Sequence, residues 1–480
     1  MIRHCIVIMA TLAALSAGAI AAEPDEIRST LHDQQSVAVT IYNGDLALVK
    51  DQRKIKLKIG LNNLALRDVS AQIRPETALL HSLSDAGSIS VLEQNFDFDL
   101  LTPQKLLEKY IGKNVGIIKT HPTTGAETTE QATVLSANNG VVMRVGSRIE
   151  TGIPGRIVYD DVPANLRDRP TLVTKLNNTV ATEQTVELSY LTGGLGWKAD
   201  YVAELNAKES SVDLSGWVTL TNTSGTSYNN AKLQLVAGDV NRVREEYAQA
   251  KAKGGLARDR MAANAPMAEE SLLEYHLYTL DRPTTIAENQ TKQVALLSAS
   301  GIPTRKELVL HGNDYYYLSS YGDLGQKMKV GVFVEFENKE SSKLGMPLPK
   351  GIIRVYKNDN AGNAQFVGED RIDHTPRNEK VRLKLGESFD VTADKKQTDF
   401  KKLPNLDKGN RLFESAYEIV LKNAKKEAVT VTVQEPIPAD WQILNESHRS
   451  TKATSNTAVW KIDIPAEGST TLTYRVQVKY

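Results

Sequence analysis

Two carboxylates, Asp200 and Asp239, stand closest to a catalytic pair in this 480-residue chain. Both fall within the stretch 188–243. A pair of facing acids at roughly 5–10 Å, one protonated and one ionised, is what hydrolysis of a glycosidic bond requires. In strands and turns the same residues serve as solvent-facing or turn-forming groups. A second candidate is the tyrosine cluster Tyr315, Tyr316, Tyr317 and Tyr321, next to Gly312-Asn313-Asp314. Exposed tyrosines stack on sugar rings or anchor a partner. If this segment is a strand, alternation puts Tyr316 opposite Tyr315 and Tyr317, so one face of the cluster belongs to a core.

Other reactive groups form no recognisable constellation. The eight histidines are scattered, with no H-E-x-x-H and no close pair, so no metal site is predicted. His374, in Asp373-His374-Thr375-Pro376, is the least isolated and reads as structural. Residues 358–363 are rich in side-chain oxygens. They lack calcium-loop spacing and its trailing glutamate, and read as a hairpin tip. The glycines of 193–196 are followed by a strand pattern, whereas phosphate capture uses a helix N-terminus. No G-x-S-x-G elbow occurs. No cofactor is expected.

The elements that position these residues come from periodicity. Trp197, Ala199, Tyr201, Ala203 and Leu205 alternate with Lys198, Asp200, Val202 and Glu204, the period of a strand with one face on a core. Leu214, Gly216, Val218 and Leu220 make a second such face, and Leu233, Leu235 and Ala237 a third. Residues 193–196 and 222–225 are turns. Strands joined by short polar turns predict antiparallel sheet. Four segments end in asparagine before a polar turn, at Asn177, Asn222, Asn338 and Asn423, a feature of sandwich turns.

Upstream, residues 36–80 alternate around Asn43-Gly44, a hairpin signal. Thr102-Pro103 opens the clearest helix, with Leu106, Leu107, Tyr110 and Ile111 on one face and Gly112 at its end. Short strands after it suggest a small barrel-like insert. Residues 244–271 shift to alanine and charge without an apolar stripe and read as a mobile loop. Strands resume at residues 272–280, and residues 315–318 read as one of those that follow.

Residues 1–22 carry Arg3, an apolar run at 6–15 and Ala19-Ile20-Ala21, the layout of a secretory leader. The only cysteine, Cys5, lies inside it. Without it the chain has no disulfide, thiol nucleophile or thiolate metal site. Removing Arg3 leaves 57 basic groups against 58 acidic ones, and no basic block suits nucleic acid. The alternating Leu472, Tyr474, Val476, Val478 and Tyr480 fit either the last strand of an outer-membrane barrel or a half-buried sandwich strand. The shortness and irregularity of the other strands favour the sandwich.

The segments at 39–43 (VTIYN), 73–80 (IRPETALL), 192–205 (TGGLGWKADYVAEL), 216–240 (GWVTLTNTSGTSYNNAKLQLVAGDV) and 351–376 resemble the mucoidy-inhibitor-like family of exported proteins, a family of unknown function. The likeness runs through nearly all of the chain after the leader. Longer relatives carry a coiled-coil-like segment where this chain has the short helix and the strand-rich insert. The resemblance implies an envelope-associated β protein and transfers no catalytic residue.

The expectation is a mostly β, multi-domain protein of antiparallel, Ig-like β-sandwiches with a small β-barrel-like insert and one short helix. Its divisions are a signal peptide at 1–22, an N-terminal β unit at 23–98, the helix and barrel-like insert at 99–168, a central sandwich region at 169–405 holding the mobile loop, and a C-terminal Ig-like sandwich at 406–480. The expected role is that of an exported, periplasmic or envelope-associated structural or interaction module without catalysis. Another envelope protein or a cell-surface polysaccharide is its partner, and it is not an integral membrane protein. The alternatives are a glycan hydrolase using Asp200 and Asp239, and an outer-membrane barrel.

Overall fold

The computed structural model describes residues 26–138, 140–163, 166–238, 240–241, 267–359, 361–404 and 411–480. Among the described residues the protein is mostly β, with several multi-stranded sheets and one α-helix. The expected leader at 1–22, Asp239 and residues 244–266 of the expected loop lie outside the described residues. The chain divides into two compact units, one from residues 1–37 and 50–191, the other from 38–49 and 192–480. Among the described residues, no helix is long and apolar enough to cross a membrane.

In the first unit a four-stranded sheet runs Glu26–Ser29, Gly60–Arg67, Thr171–Asn178, Ile89–Asp97. Its first pair is parallel. The buried Arg53 fastens this region: its guanidinium donates to Asp51 at 2.8 Å, to the Ser29 carbonyl at 3.0 Å and to the Arg67 carbonyl at 2.7 Å. These partners satisfy a charge that would otherwise be expensive to bury.

The helix Pro103–Lys109 begins as its sequence predicts. The Thr102 hydroxyl accepts from the Lys105 amide at 3.1 Å, and proline sits in the first turn. Gly112, at φ +81°, lets the chain leave the helix in a left-handed turn. The strands after it do not form the expected barrel. They make an open five-stranded sheet, Arg148–Thr151, Val142–Val145, Glu127–Ser136, Asn114–Thr120, Arg156–Val158. Its outermost strands have only four and three residues and do not pair with each other. Leu107 and Tyr110 join Val115, Ile117, Val134 and Met143 in one apolar cluster. That cluster is therefore covered by the helix instead of by closure of the sheet.

In the second unit the hairpin Leu195–Leu205 and Ser211–Asn222 is antiparallel, pairing Trp197 with Leu220 and Tyr201 with Gly216. Trp197, Ala199, Tyr201, Ala203 and Leu205 are all buried, as are Leu214, Val218 and Leu220, so the period-two reading holds. A Cβ on Gly216 would meet the Tyr201 ring at 3.2 Å and Leu297 at 2.9 Å; glycine makes room for that ring. Parallel pairings, which turn chemistry did not predict, include Leu195–Leu205 with Gly351–Asn358 and Tyr228–Ala237 with residues 38–42. Both join strands distant in sequence, where no hairpin dictates direction.

The strand Gln290–His311 passes from this sheet into a second layer. Leu308–His311 pairs in parallel with Val429–Pro436, which in turn pairs with Thr457–Ile464. Through Thr304–Val309 the same strand also pairs with Asp323–Glu337, which leads the succession Lys380–Leu403, Leu412–Asn423, Gly468–Lys479, Asp440–Glu446. The two layers share a core that includes Leu310, Tyr317, Val391, Ile419, Val433, Trp460 and Val476, a sandwich arrangement. Leu472, Tyr474, Val476 and Val478 point into that core. Among the described residues there is no closed barrel.

Buried asparagines close the turns. The Asn222 amide donates to the carbonyls of Thr226 and Ile286, that of Asn338 to Met346 and Pro376, and that of Asn423 to Glu427 and Pro465. In the fourth instance Asn178, in phase with Leu176, is the buried residue, and not Asn177. Residues 268–271, placed in the loop by composition, belong to the strand Ala268–Leu272, paired with Tyr275–Thr279.

Candidate functional site

Asp200 sits on the strand Leu195–Leu205 and is 9% exposed. The Thr219 hydroxyl donates to its Oδ2 at 2.8 Å and the Arg354 guanidinium to its Oδ1 at 3.1 Å. These partners lie on the two strands that flank it in the sheet. Both carboxylate oxygens are thus engaged in bracing three strands. Asp239 lies outside the described residues.

His374 accepts from the Lys350 amide at 3.2 Å and contacts the Asn43 side chain at 3.4 Å, a structural placement. Asp359 accepts from the amides of Ala361 and Asn363, both at 2.9 Å. It ties the tip between Gly351–Asn358 and Ala364–Ile372. Among the described residues no group of three or more His, Cys, Asp or Glu is placed to hold a metal ion.

The tyrosine cluster is built differently from its predicted form. Asp314–Tyr317 is a 3-10 turn, not a strand, so side chains follow three per turn instead of alternating. Tyr316 and Tyr317 are buried, while Tyr315 is 46% and Tyr321 36% exposed. The exposed rings meet edge to face at 5.7 Å, and Tyr315 packs edge to face on Tyr316 at 4.6 Å. Gln397 bolts this loop to the sheet. It accepts from the Tyr321 amide at 2.6 Å and donates to the carbonyls of Tyr316 and Ser319 at 3.2 and 3.1 Å. The Tyr417 hydroxyl donates to the Tyr316 carbonyl at 2.7 Å.

Beneath the loop lies a charged pair that composition does not flag. Lys395 Nζ is 2.6 Å from Glu435 Oε2, and both side chains are fully shielded from solvent. The ammonium stands over the rings of Tyr316 at 4.3 Å, Tyr417 at 5.1 Å and Tyr474 at 6.0 Å. The Tyr317 hydroxyl donates to Glu435 Oε2 at 3.0 Å and meets the Tyr474 hydroxyl at 3.0 Å. Glu435 Oε1 has no hydrogen-bond partner among the described residues. Burial pulls the Lys395 amine below its usual range, against the opposing pull of Glu435. Burial likewise holds the hydroxyls of Tyr317 and Tyr474 protonated well beyond the ordinary phenol range.

A sequence signal for this pair exists. Lys395 and Gln397 fall in phase with Val391 and Ala393, and Glu435 with Val431 and Val433. Charged residues on the apolar phase of a strand are buried unless the strand slips register.

Comparison with curated proteins gives no match. A family profile, described as a domain of unknown function (DUF4139), matches residues 186–480. The segment holding Asp200, the tyrosine loop and the Lys395–Glu435 pair lies wholly inside that span. The chain therefore belongs to the DUF4139 family.

Proposed function

We propose that the chain is an exported, non-enzymatic interaction module of the cell envelope, which holds a cell-surface polysaccharide through Tyr315 and Tyr321. The observation that carries this reading is the pair of exposed rings on a loop whose backbone is bonded to the sheet through Gln397 and Tyr417. Rings fixed before binding lose little conformational freedom on contact, so their stacking on a sugar face is retained as affinity. Asp200, the described member of the hydrolase pair, is occupied in bracing strands. The leader-like residues 1–22 and the resemblance to mucoidy-inhibitor-like exported proteins support the compartment.

The test is binding of the purified protein to polysaccharide prepared from the cell envelope. Tyr315→Ala/Tyr321→Ala is expected to weaken binding at least about tenfold while leaving the melting temperature nearly unchanged, since both rings are on the surface. Equal binding by the double variant, or capture of an envelope protein in place of the polysaccharide, overturns the assignment. Fractionation of cells making the chain with and without residues 1–22 checks export.

A further inference from the structure

The Lys395–Glu435 contact is a poor design for a permanent ion pair. A lysine ammonium offers three N–H donors and a carboxylate two acceptor oxygens. This site supplies the ammonium with one oxygen, at 2.6 Å, and otherwise with ring faces. It supplies donors to Oε2 alone; Oε1 is buried without a partner among the described residues. An amide at this position needs less. It carries no charge, and has one carbonyl oxygen and one N–H, which faces the aromatic rings.

Three further features suit bond formation. Burial drives the amine toward its neutral, nucleophilic form. The rings of Tyr316, Tyr417 and Tyr474 confine the amine, and its nitrogen is in contact with the carboxyl group, one bond from the carbon it must reach. Held in this way, intramolecular groups react as if at effective concentrations of roughly 10⁵–10⁸ M. Gly312 leaves the space the carboxyl group occupies: a Cβ there would lie 2.2 Å from Glu435 Oε2 and 2.5 Å from the carboxyl carbon.

We infer that Lys395 and Glu435 become joined after folding by an isopeptide bond between Nζ and the Glu435 carboxyl carbon. The proton shared in the pair passes to the carboxylate, leaving a neutral amine and a neutral acid. The nitrogen lone pair forms the new C–N bond at the carboxyl carbon. One carboxyl oxygen then leaves as water, breaking its C–O bond and taking up the proton that nitrogen sheds. No oxidant, reductant or activated co-reactant enters. The hydroxyl of Tyr317, in contact with Oε2, and that of Tyr474, in contact with Tyr317, are placed to pass protons to Oε2 as it departs; both are positioning residues. The product ties Lys380–Leu403 to Val429–Pro436, one strand in each layer of the sandwich. This bond is independent of what Tyr315 and Tyr321 bind.

Peptide-level mass spectrometry of the denatured, trypsin-digested full chain decides it. The expected product is a branched peptide carrying both residues, lighter by about 18 Da, one water, than its two linear parts together. Trypsin leaves Lys395 uncut. In Lys395→Met the Glu435 peptide is linear, and Tyr317→Phe/Tyr474→Phe lowers the rate at which the branched peptide accumulates in freshly folded protein. Linear peptides with a free Lys395 and a free Glu435 accounting for the whole wild-type digest overturn the inference. That readout needs no variant to fold.

Discussion

Lys395 Nζ meets Glu435 Oε2 at 2.6 Å in the middle of a sandwich core, with no solvent on either side chain. Removing one partner strands the other in an apolar surrounding. Lys395→Met and Glu435→Leu are each expected to destabilise the chain by about 3–5 kcal/mol. The double variant is expected to lose much less than the sum, since both changes remove the same Lys395–Glu435 link and neither side chain is then left buried without its partner. Chemical denaturation of all four proteins measures the coupling; additive losses would contradict it.

Gly312 is required by what lies against it, not by its backbone angles. Gly312→Ala places a methyl group 2.2 Å from the Glu435 carboxylate. That carboxylate cannot swing away, because Lys395 and Tyr317 hold it. The expected loss is roughly 1–3 kcal/mol, as for other overpacked cores, read as a lower melting temperature. Gly322→Ala, where a Cβ meets nothing within 4 Å, serves as the control.

Gln397 joins the exposed tyrosines to the core. Gln397→Leu leaves the Tyr321 amide and the Ser319 carbonyl without their side-chain partner, while the Tyr316 carbonyl keeps only the Tyr417 hydroxyl. The expected loss of stability is about 1–3 kcal/mol. Amide hydrogen exchange at Tyr321 is expected to quicken, and polysaccharide affinity to fall although no ring has been removed. Unchanged exchange at Tyr321 would show that the loop is held by other means.

Asp200→Ala frees Arg354 and Thr219 of their shared acceptor, and about 1–3 kcal/mol of stability is expected to go with it. Asp200→Asn keeps one acceptor oxygen and is expected to lose less. A catalytic carboxylate would behave in reverse, with both changes abolishing turnover and sparing stability, so melting curves beside a glycan-release assay separate the two roles.

In the first unit, the Arg167 guanidinium donates to both oxygens of Glu26, at 3.0 and 2.6 Å, and to Asp97 at 2.9 Å. The bond to Arg167 holds the Glu26 carboxyl below its usual 4.5. A depressed acid adds stability that is present above its unfolded value and lost as pH falls through the folded one. Acidification from about pH 5 downward is therefore expected to destabilise the wild type more steeply than Arg167→Met. Parallel slopes of melting temperature against pH would remove Glu26 as a contributor.

The strands around Trp197, Leu214 and Leu233, and the helix after Thr102, were legible from local spacing, because a strand or a capped helix is specified by residues within a few positions of one another. Lys395 and Glu435 were legible only as oddities, charges on the apolar phase of their strands. That they answer each other across 40 residues depends on how two layers pack, which no local pattern encodes. Packing also made Asp314–Tyr317 a 3-10 turn, since burying two tyrosine rings under Gln397 and Tyr417 outweighed the strand preference of the run. It left the sheet of residues 114–158 open, because closure depends on pairing between its short end strands. Direction in the parallel pairs follows likewise from contacts between distant segments. Side-chain period is a property of the backbone and can be read one residue at a time; partnership between strands is decided by the core they jointly bury.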